Sequence, residues 1–130
     1  MDNRSILVVD DDDDVRKMLC FVLAAEGYPT EEAHDGVEAL ERMHADGPPA
    51  MAVVDLMMPR MDGGELIRQM NQDPALAQTP VAIVSGHSSL GEKLPHVSAH
   101  LVKPIEIGEL LAVVHRLSGL NSVVPPTKSR

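Results

Sequence analysis

Apolar residues along this chain follow two alternating rhythms. Ile6–Val9, Met51–Val54 and Val81–Val84 are short unbroken apolar runs. A run without in-out alternation reads as a strand covered on both faces, the signature of a parallel sheet. Leu101-Val102 forms the core of a fourth strand-like run, and Thr30–Ala33 is a weaker one. Pro29 at its start suits an edge strand, where a missing N–H donor costs little. Between these runs the spacing changes to three and four. Val15, Met18, Leu19, Val22 and Leu23 predict a first helix, with acids at its start and Gly27 at its C-terminal end. Val37, Leu40 and Met43 predict a second, stopped by Gly47-Pro48-Pro49. Leu66, Ile67 and Met70 predict a third, opened by Asp62-Gly63-Gly64. Ile107, Leu110, Leu111, Val114 and Leu117 predict the last.

Strands alternating with helices imply an α/β fold: a doubly wound, five-stranded parallel sheet with right-handed crossovers. One crossover breaks the regularity. Only seventeen residues separate Ser85 from Lys103, and Gly86, Gly91 and Pro95 fall among them. A helix of ordinary length leaves no room there for loops and a strand. The fourth helix is therefore expected to be shortened to about two turns or replaced by an irregular segment.

At 130 residues the chain is one domain with a proper core. Its lone Phe21 and Tyr28, with no Trp, leave that core to Val, Leu, Ile, Ala and Met. The net charge of −9 argues against nucleic-acid or anionic-membrane binding by bulk electrostatics. A single cysteine, Cys20, excludes an intramolecular disulfide, and no stretch has the pattern of a signal peptide or a membrane span. These features lead to the expectation of a cytoplasmic protein. Residues 4–118 are expected to form the domain, and 119–130, with two prolines and two basic residues, a disordered tail or linker stub.

The chemistry lies where the strands end. The first strand runs into Asp10 and Asp11, the third into Asp55, the fourth into Ser85 and the fifth into Lys103. In an open doubly wound sheet, ligands bind outside the C-terminal strand ends at the point where strand order reverses. With order 2-1-3-4-5, that point lies between the strands ending in Asp10-Asp11 and in Asp55. Three carboxylates in one crevice repel, and a hard divalent cation such as Mg²⁺ removes the conflict. Asp55 then becomes a candidate nucleophile toward phosphorus, forming an acyl phosphate. The Lys103 ammonium and the Ser85 hydroxyl sit on the same edge to meet phosphoryl oxygens. Asp12, Asp13 and Asp14 read as a solvated helix N-terminus.

Over residues 4–118 the chain resembles the receiver domain of two-component response regulators, a CheY-like family. The resemblance is carried by Val8-Val9-Asp10-Asp11-Asp12, Val54-Asp55-Leu56-Met57-Met58-Pro59, Met61-Asp62-Gly63, Ser85 and Lys103-Pro104 in this order and spacing. It implies a flavodoxin-like fold and a protein that is not an enzyme beyond taking up and slowly losing its own phosphoryl group. Asp55 is then the phosphoacceptor. Asp11 and Asp55 bind Mg²⁺ directly, Asp10 binds it through water, and the backbone carbonyl of Met57 completes the protein ligands. Ser85 is the switch hydroxyl and Lys103 the conserved amine of the family, with a cis Lys103-Pro104 bond. The implied phosphoryl donor is a phosphohistidine of a sensor histidine kinase or phosphotransfer protein, docking against Val15, Met18, Pro104 and Ile105. A downstream protein target completes the expectation, a homodimer is left open, and neither nucleic acid nor membrane is a partner of this domain.

Three positions depart from the family pattern. His100 stands where an aromatic residue usually reports phosphorylation, the fourth helical segment is short, and Gly86 replaces the usual Ala after the switch hydroxyl. The output surface is the part these changes touch. The alternative is a receiver-like module that binds protein without being phosphorylated. Other chemistries fit less well. A dehalogenase-type phosphatase requires an acid where Met57 stands, and an EF-hand loop requires Gly at Val15 and an acid at Phe21. No Gly-x-Gly-x-x-Gly follows any strand. His96 and His100 fall on either side of a strand start, which is poor spacing for a zinc pair.

Overall fold

The computed structural model describes residues 4–86 and 96–120. Five strands, β1 (Ile6–Val9), β2 (Thr30–Ala33), β3 (Met51–Asp55), β4 (Val81–Ser85) and β5 (Ala99–Val102), form one parallel sheet in the order β2-β1-β3-β4-β5. The helices described are α1 (Asp13–Ala25), α2 (Gly36–Asp46), α3 (Gly63–Gln72) and α4 (Ile107–Ser118). The doubly wound architecture and the strand order are those the sequence predicts. The expected short or irregular helix between β4 and β5 falls largely on residues 87–95, outside the described residues.

Alternate residues of the central strands feed two cores. Ile6, Val8, Met51, Val53, Ala82, Val84 and Leu101 face α1 and α4. Leu7, Val9, Ala52, Val54, Val81 and Ile83 face α2 and α3. Every residue of β1, β3 and β4 is buried, as expected for strands covered on both sides. Edge strand β2, by contrast, carries Glu31 and Glu32 half-buried.

Several local expectations shift by a residue. The buried face of α1 runs through Arg16, Leu19, Cys20 and Leu23 rather than through Val15 and Met18. Met18 is 44% exposed and Phe21 75% exposed. The cause is Arg16: its guanidinium turns inward to the Asp10 carbonyl and to Glu32 on β2, which fixes the roll of the helix. In α2 the buried positions are Gly36, Ala39 and Met43, with Val37 and Leu40 only half-buried. Ile107 is half-exposed at the start of α4, and Val113 takes a buried place that the spacing did not assign. The core also extends past residue 118. Gly119 adopts a left-handed C-cap, and Leu120 packs against the α1/α4 core. Residues 121–130 lie outside the described residues.

Candidate functional site at the C-terminal edge of the sheet

Register brings the strand ends level. Val9 pairs with Val54, Asp55 with Val84, and Ser85 with Val102, so Asp10, Asp55, Ser85 and Lys103 meet along one edge. Each of these residues ends or follows an apolar strand because a polar group there reaches the mouth of the sheet without crossing its interior. Carboxylate oxygens of Asp10, Asp11 and Asp55 lie within 4.8 Å of one another. Asp10 and Asp55 are buried, whereas Asp11 is exposed. The Lys103 Nζ stands 3.4 Å from Asp55 Oδ1.

Burial dominates the electrostatics. It pushes the Asp10 carboxyl up to about 6, with the nearby Asp55 charge adding to the effect and the Asp12 N–H bonded to it at 2.9 Å opposing it. Burial also raises Asp55, against the pull of the Lys103 ammonium and of the Met57 backbone N–H. A pocket that raises its own carboxyls, with Lys103 the one cation in reach among the described residues, is underneutralised. Its donors are all oxygens, closely spaced and open to solvent through Asp11, which fits a hard divalent cation such as Mg²⁺. The Met57 side chain is 67% exposed at the mouth.

The supporting loops hold this geometry. Asp12 caps α1 by accepting from the Asp14 and Val15 backbone N–H groups, as its place in the acidic run suggested. The Lys103-Pro104 peptide is cis. Gly63, at the start of α3, lies so close behind the site that an added Cβ would stand 2.7 Å from the Asp55 carbonyl oxygen and 2.9 Å from Leu56 Cα. Only glycine permits this approach. Opposite it, Arg60 on the loop after β3 donates to Asp35, the buried N-cap of α2, at 2.7 Å. Arg16 anchors the Asp10 backbone carbonyl at 2.9 Å.

The supporting roles of Arg16, Asp35, Arg60 and Gly63 escaped sequence analysis. Arg16 left a signal: it lies three, four and seven positions before Leu19, Cys20 and Leu23, so it shares their helix face. The other three depend on contacts between distant segments.

Ser85 is buried, and its Oγ lies 2.8 Å from His100 Nε2 on the neighbouring strand. The proposed docking residues separate into two kinds. Met18 and Pro104 are exposed, whereas Val15 and Ile105 are half-buried against the α1/α4 core. Phe21, which the sequence did not single out, is the most exposed large apolar side chain of α1. No helix among the described residues is long and apolar enough to cross a membrane.

A parallel sheet in this order, with an acidic pocket and a lysine at its C-terminal edge, defines a flavodoxin-like fold with a strand-end carboxylate site. The chain belongs to the response regulator receiver domain family, whose sequence pattern matches residues 6–115. It is 42% identical over 116 residues to the response regulator MprA of Mycobacterium ulcerans, covering 86% of this chain and 49% of that protein. The MprA of Mycobacterium tuberculosis strain H37Rv is 41% identical over 116 residues. The chain thus spans about half the length of the curated relatives it matches. Among solved structures, a putative response regulator from Chloroflexus aurantiacus superposes with a TM-score of 0.83 at 30% identity, over 92% of this chain and 100% of that one. The chemotaxis protein CheY4 of Vibrio cholerae superposes with a TM-score of 0.79 at 27% identity, over 88% and 98%. The protein is therefore a receiver module of two-component signalling, a class whose members act as phosphoacceptors rather than as general catalysts.

Proposed function

We propose that Asp55 is the phosphoacceptor, in a Mg²⁺-dependent transfer from a phosphohistidine of a sensor histidine kinase or phosphotransfer protein, and that the product switches contacts with a downstream protein. The observation that carries this reading is the convergence of Asp10, Asp11 and Asp55 within 4.8 Å, with Lys103 Nζ 3.4 Å from the Asp55 carboxylate. In the transfer, an Asp55 Oδ attacks phosphorus while the P–N bond to the donor imidazole breaks. The bonding pair leaves on the imidazole nitrogen, and the product is a mixed anhydride on Asp55. Asp10, Asp11, Asp55 and the Met57 carbonyl are the groups that would hold Mg²⁺, which when bound offsets charge on the phosphoryl oxygens.

This chain's own residues do the rest. Lys103 opposes the burial that raises Asp55 before transfer and faces the added charge afterwards. Ser85 offers its hydroxyl to a phosphoryl oxygen. The exposed Met18 and Pro104, flanked by Val15 and Ile105, are the surface on which the donor docks. The receiver unit in this reading is residues 4–118, and Leu120 packs against its core.

The test is intact mass after incubation with Mg²⁺ and acetyl phosphate. One added phosphoryl group in the wild type, absent from Asp55→Asn and absent with chelator, supports acceptor and metal together. A folded wild-type protein that takes no phosphoryl group overturns the reading in favour of a phosphorylation-independent binding module.

A further inference from the structure

The loop between β3 and α3 is held at its neck and at its tip. At the neck, the Leu56 N–H donates to the Val84 carbonyl at 2.8 Å and the Gly63 N–H to the Leu56 carbonyl at 2.9 Å. At the tip, the Met61 N–H donates to the Pro59 carbonyl at 2.7 Å, across a turn whose single central residue is Arg60. Arg60 has a φ of +65°, a left-handed conformation that an ordinary side chain adopts only against a steric cost. Such a turn persists where its surroundings over-determine it. The first turn of α2 supplies those surroundings. Arg60 Nε donates to the buried Asp35 Oδ2 at 2.7 Å. His34 Nε2 lies 3.4 Å from the same oxygen, so Arg60 makes the closer contact. The Gly36 N–H donates to the Met61 carbonyl at 3.3 Å, and a Cβ on Gly36 would stand 2.8 Å from that carbonyl oxygen.

Between neck and tip the chain is stiff. The Met57 N–H bonds the Asp55 carboxylate. Pro59 fixes its own φ and confines Met58 to extended backbone. Few torsions are left free between the Met57 carbonyl and Arg60, so the place of Arg60 governs the direction of that carbonyl. We propose that the Asp35–Arg60 contact is a clasp that positions the Met57 carbonyl for a divalent cation, which makes the start of α2 part of the support of the metal site. The inference rests on the reading of Asp10, Asp11, Asp55 and the Met57 carbonyl as the Mg²⁺ ligands. It adds two positioning residues, Asp35 and Arg60, that touch neither cation nor phosphoryl group and act through the backbone of Met58 and Pro59. The coupling is reciprocal, so a cation at the Met57 carbonyl is felt at the start of α2.

Two variants open the clasp without touching the carboxylate pocket. Asp35→Asn keeps an oxygen for the Glu38 N–H, so the N-cap of α2 survives while the charge facing Arg60 is lost. Arg60→Gly deletes the side chain and suits the left-handed φ, so the turn itself is not at risk and this variant decides if Asp35→Asn folds poorly. Each should weaken Mg²⁺ binding by roughly three- to tenfold, less than the roughly 10–100-fold typical of groups bonded directly to a metal ligand. Arg60→Lys keeps a charge beside Asp35 and should fall between wild type and Arg60→Gly. Combining Asp35→Asn with Arg60→Gly should cost no more than either alone, because both remove the same contact.

The experiment is a titration of MgCl₂ into the metal-free protein, followed by ¹⁵N and ¹³C NMR. In the wild type, Mg²⁺ should shift the Met57 carbonyl signal and the Gly36 amide together. In Asp35→Asn and Arg60→Gly the Gly36 response should be lost, while the Asp11 amide, on the other side of the pocket, still reports the cation. A merely structural role lowers stability to urea in chelator and leaves the Mg²⁺ affinity where it was. Unchanged affinity in both variants, a Gly36 amide that responds in them as in the wild type, or losses that add in the double variant overturns the clasp alone. A wild type whose Asp10, Asp11 and Asp55 signals ignore Mg²⁺ overturns the metal reading together with the clasp. The phosphoacceptor reading is judged separately, by the acetyl phosphate adduct on the wild type.

Discussion

Lys103 reaches across the whole width of β4 to stand 3.4 Å from the Asp55 carboxylate, although the strands that carry the two residues are not neighbours. The ammonium opposes the burial that raises Asp55. Lys103→Met should therefore push the Asp55 carboxyl further up in the metal-free protein, visible by carboxylate ¹³C NMR titration. It should also slow phosphorylation by acetyl phosphate by roughly ten- to a hundredfold, below the roughly hundred- to thousandfold cost of losing a fully enclosed donor, since Lys103 is partly solvated. An unchanged rate would remove Lys103 from the transfer.

The metal-free protein carries a cost in Asp10. Its carboxyl is raised from the ordinary 3.8 to about 6, so between those values the folded state binds more protons than the unfolded chain. Stability then falls as pH rises through that window, and the penalty is complete above about 6. With chelator present, Tm should rise as pH is lowered from 7 toward 5. Asp10→Asn should raise stability at pH 7 by up to about 3 kcal/mol and flatten the profile, since each pH unit of displacement corresponds to about 1.4 kcal/mol. Asn keeps an oxygen for the Asp12 N–H, so the turn survives the change. Chemical denaturation at pH 5 and 7 with chelator checks both expectations.

Gly63 tests how closely the site depends on its backing. An added Cβ would meet backbone atoms of Asp55 and Leu56 at under 3 Å, and backbone cannot swing aside as a side chain can. Gly63→Ala should cost about 1–3 kcal/mol, the usual price of overpacking, and shift β3 where it carries the acceptor. Phosphorylation by acetyl phosphate should drop even under conditions where circular dichroism shows a folded protein. Gly64→Ala, one position further along α3, is the control.

The Asp35–Arg60 pair fixes the loop after β3 against the start of α2. The Arg60 guanidinium and the Glu38 N–H hold the buried Asp35 carboxyl below the usual carboxylate range. For a depressed acid, the folded state binds fewer protons than the unfolded chain. Its contribution is present above the ordinary value near 4 and is lost as pH falls through the lower folded value. Asp35→Ala should cost about 0.5–2 kcal/mol at pH 7, the range for a lost N-cap, with the difference from wild type shrinking in acid. Equal destabilisation at pH 7 and pH 2.5, by urea unfolding, would show that the charge is not what matters.

The alternation of unbroken apolar runs with three-four spacing was enough to determine the sheet, its helices and the strand ends. Those signals are local: a strand covered on both faces needs apolar residues throughout, and a polar residue at its end marks the mouth. Asp10, Asp11, Asp55, Ser85 and Lys103 were legible for that reason, because strand register alone carries them to one edge. What the tertiary structure decided are the relations that no spacing encodes. Arg16 set the roll of α1 by reaching the Asp10 carbonyl and Glu32, which exposed Met18 and Phe21. Gly63 was readable as a helix start but not as the surface that the Asp55 backbone touches. Arg60 found Asp35 across twenty-five positions of chain. His100 was legible as a departure from the family, but its bond to Ser85 depends on the β4–β5 register and on the reach of one side chain. Each of these is a contact between segments brought together only by folding, and its energy depends on distances that the sequence alone does not fix.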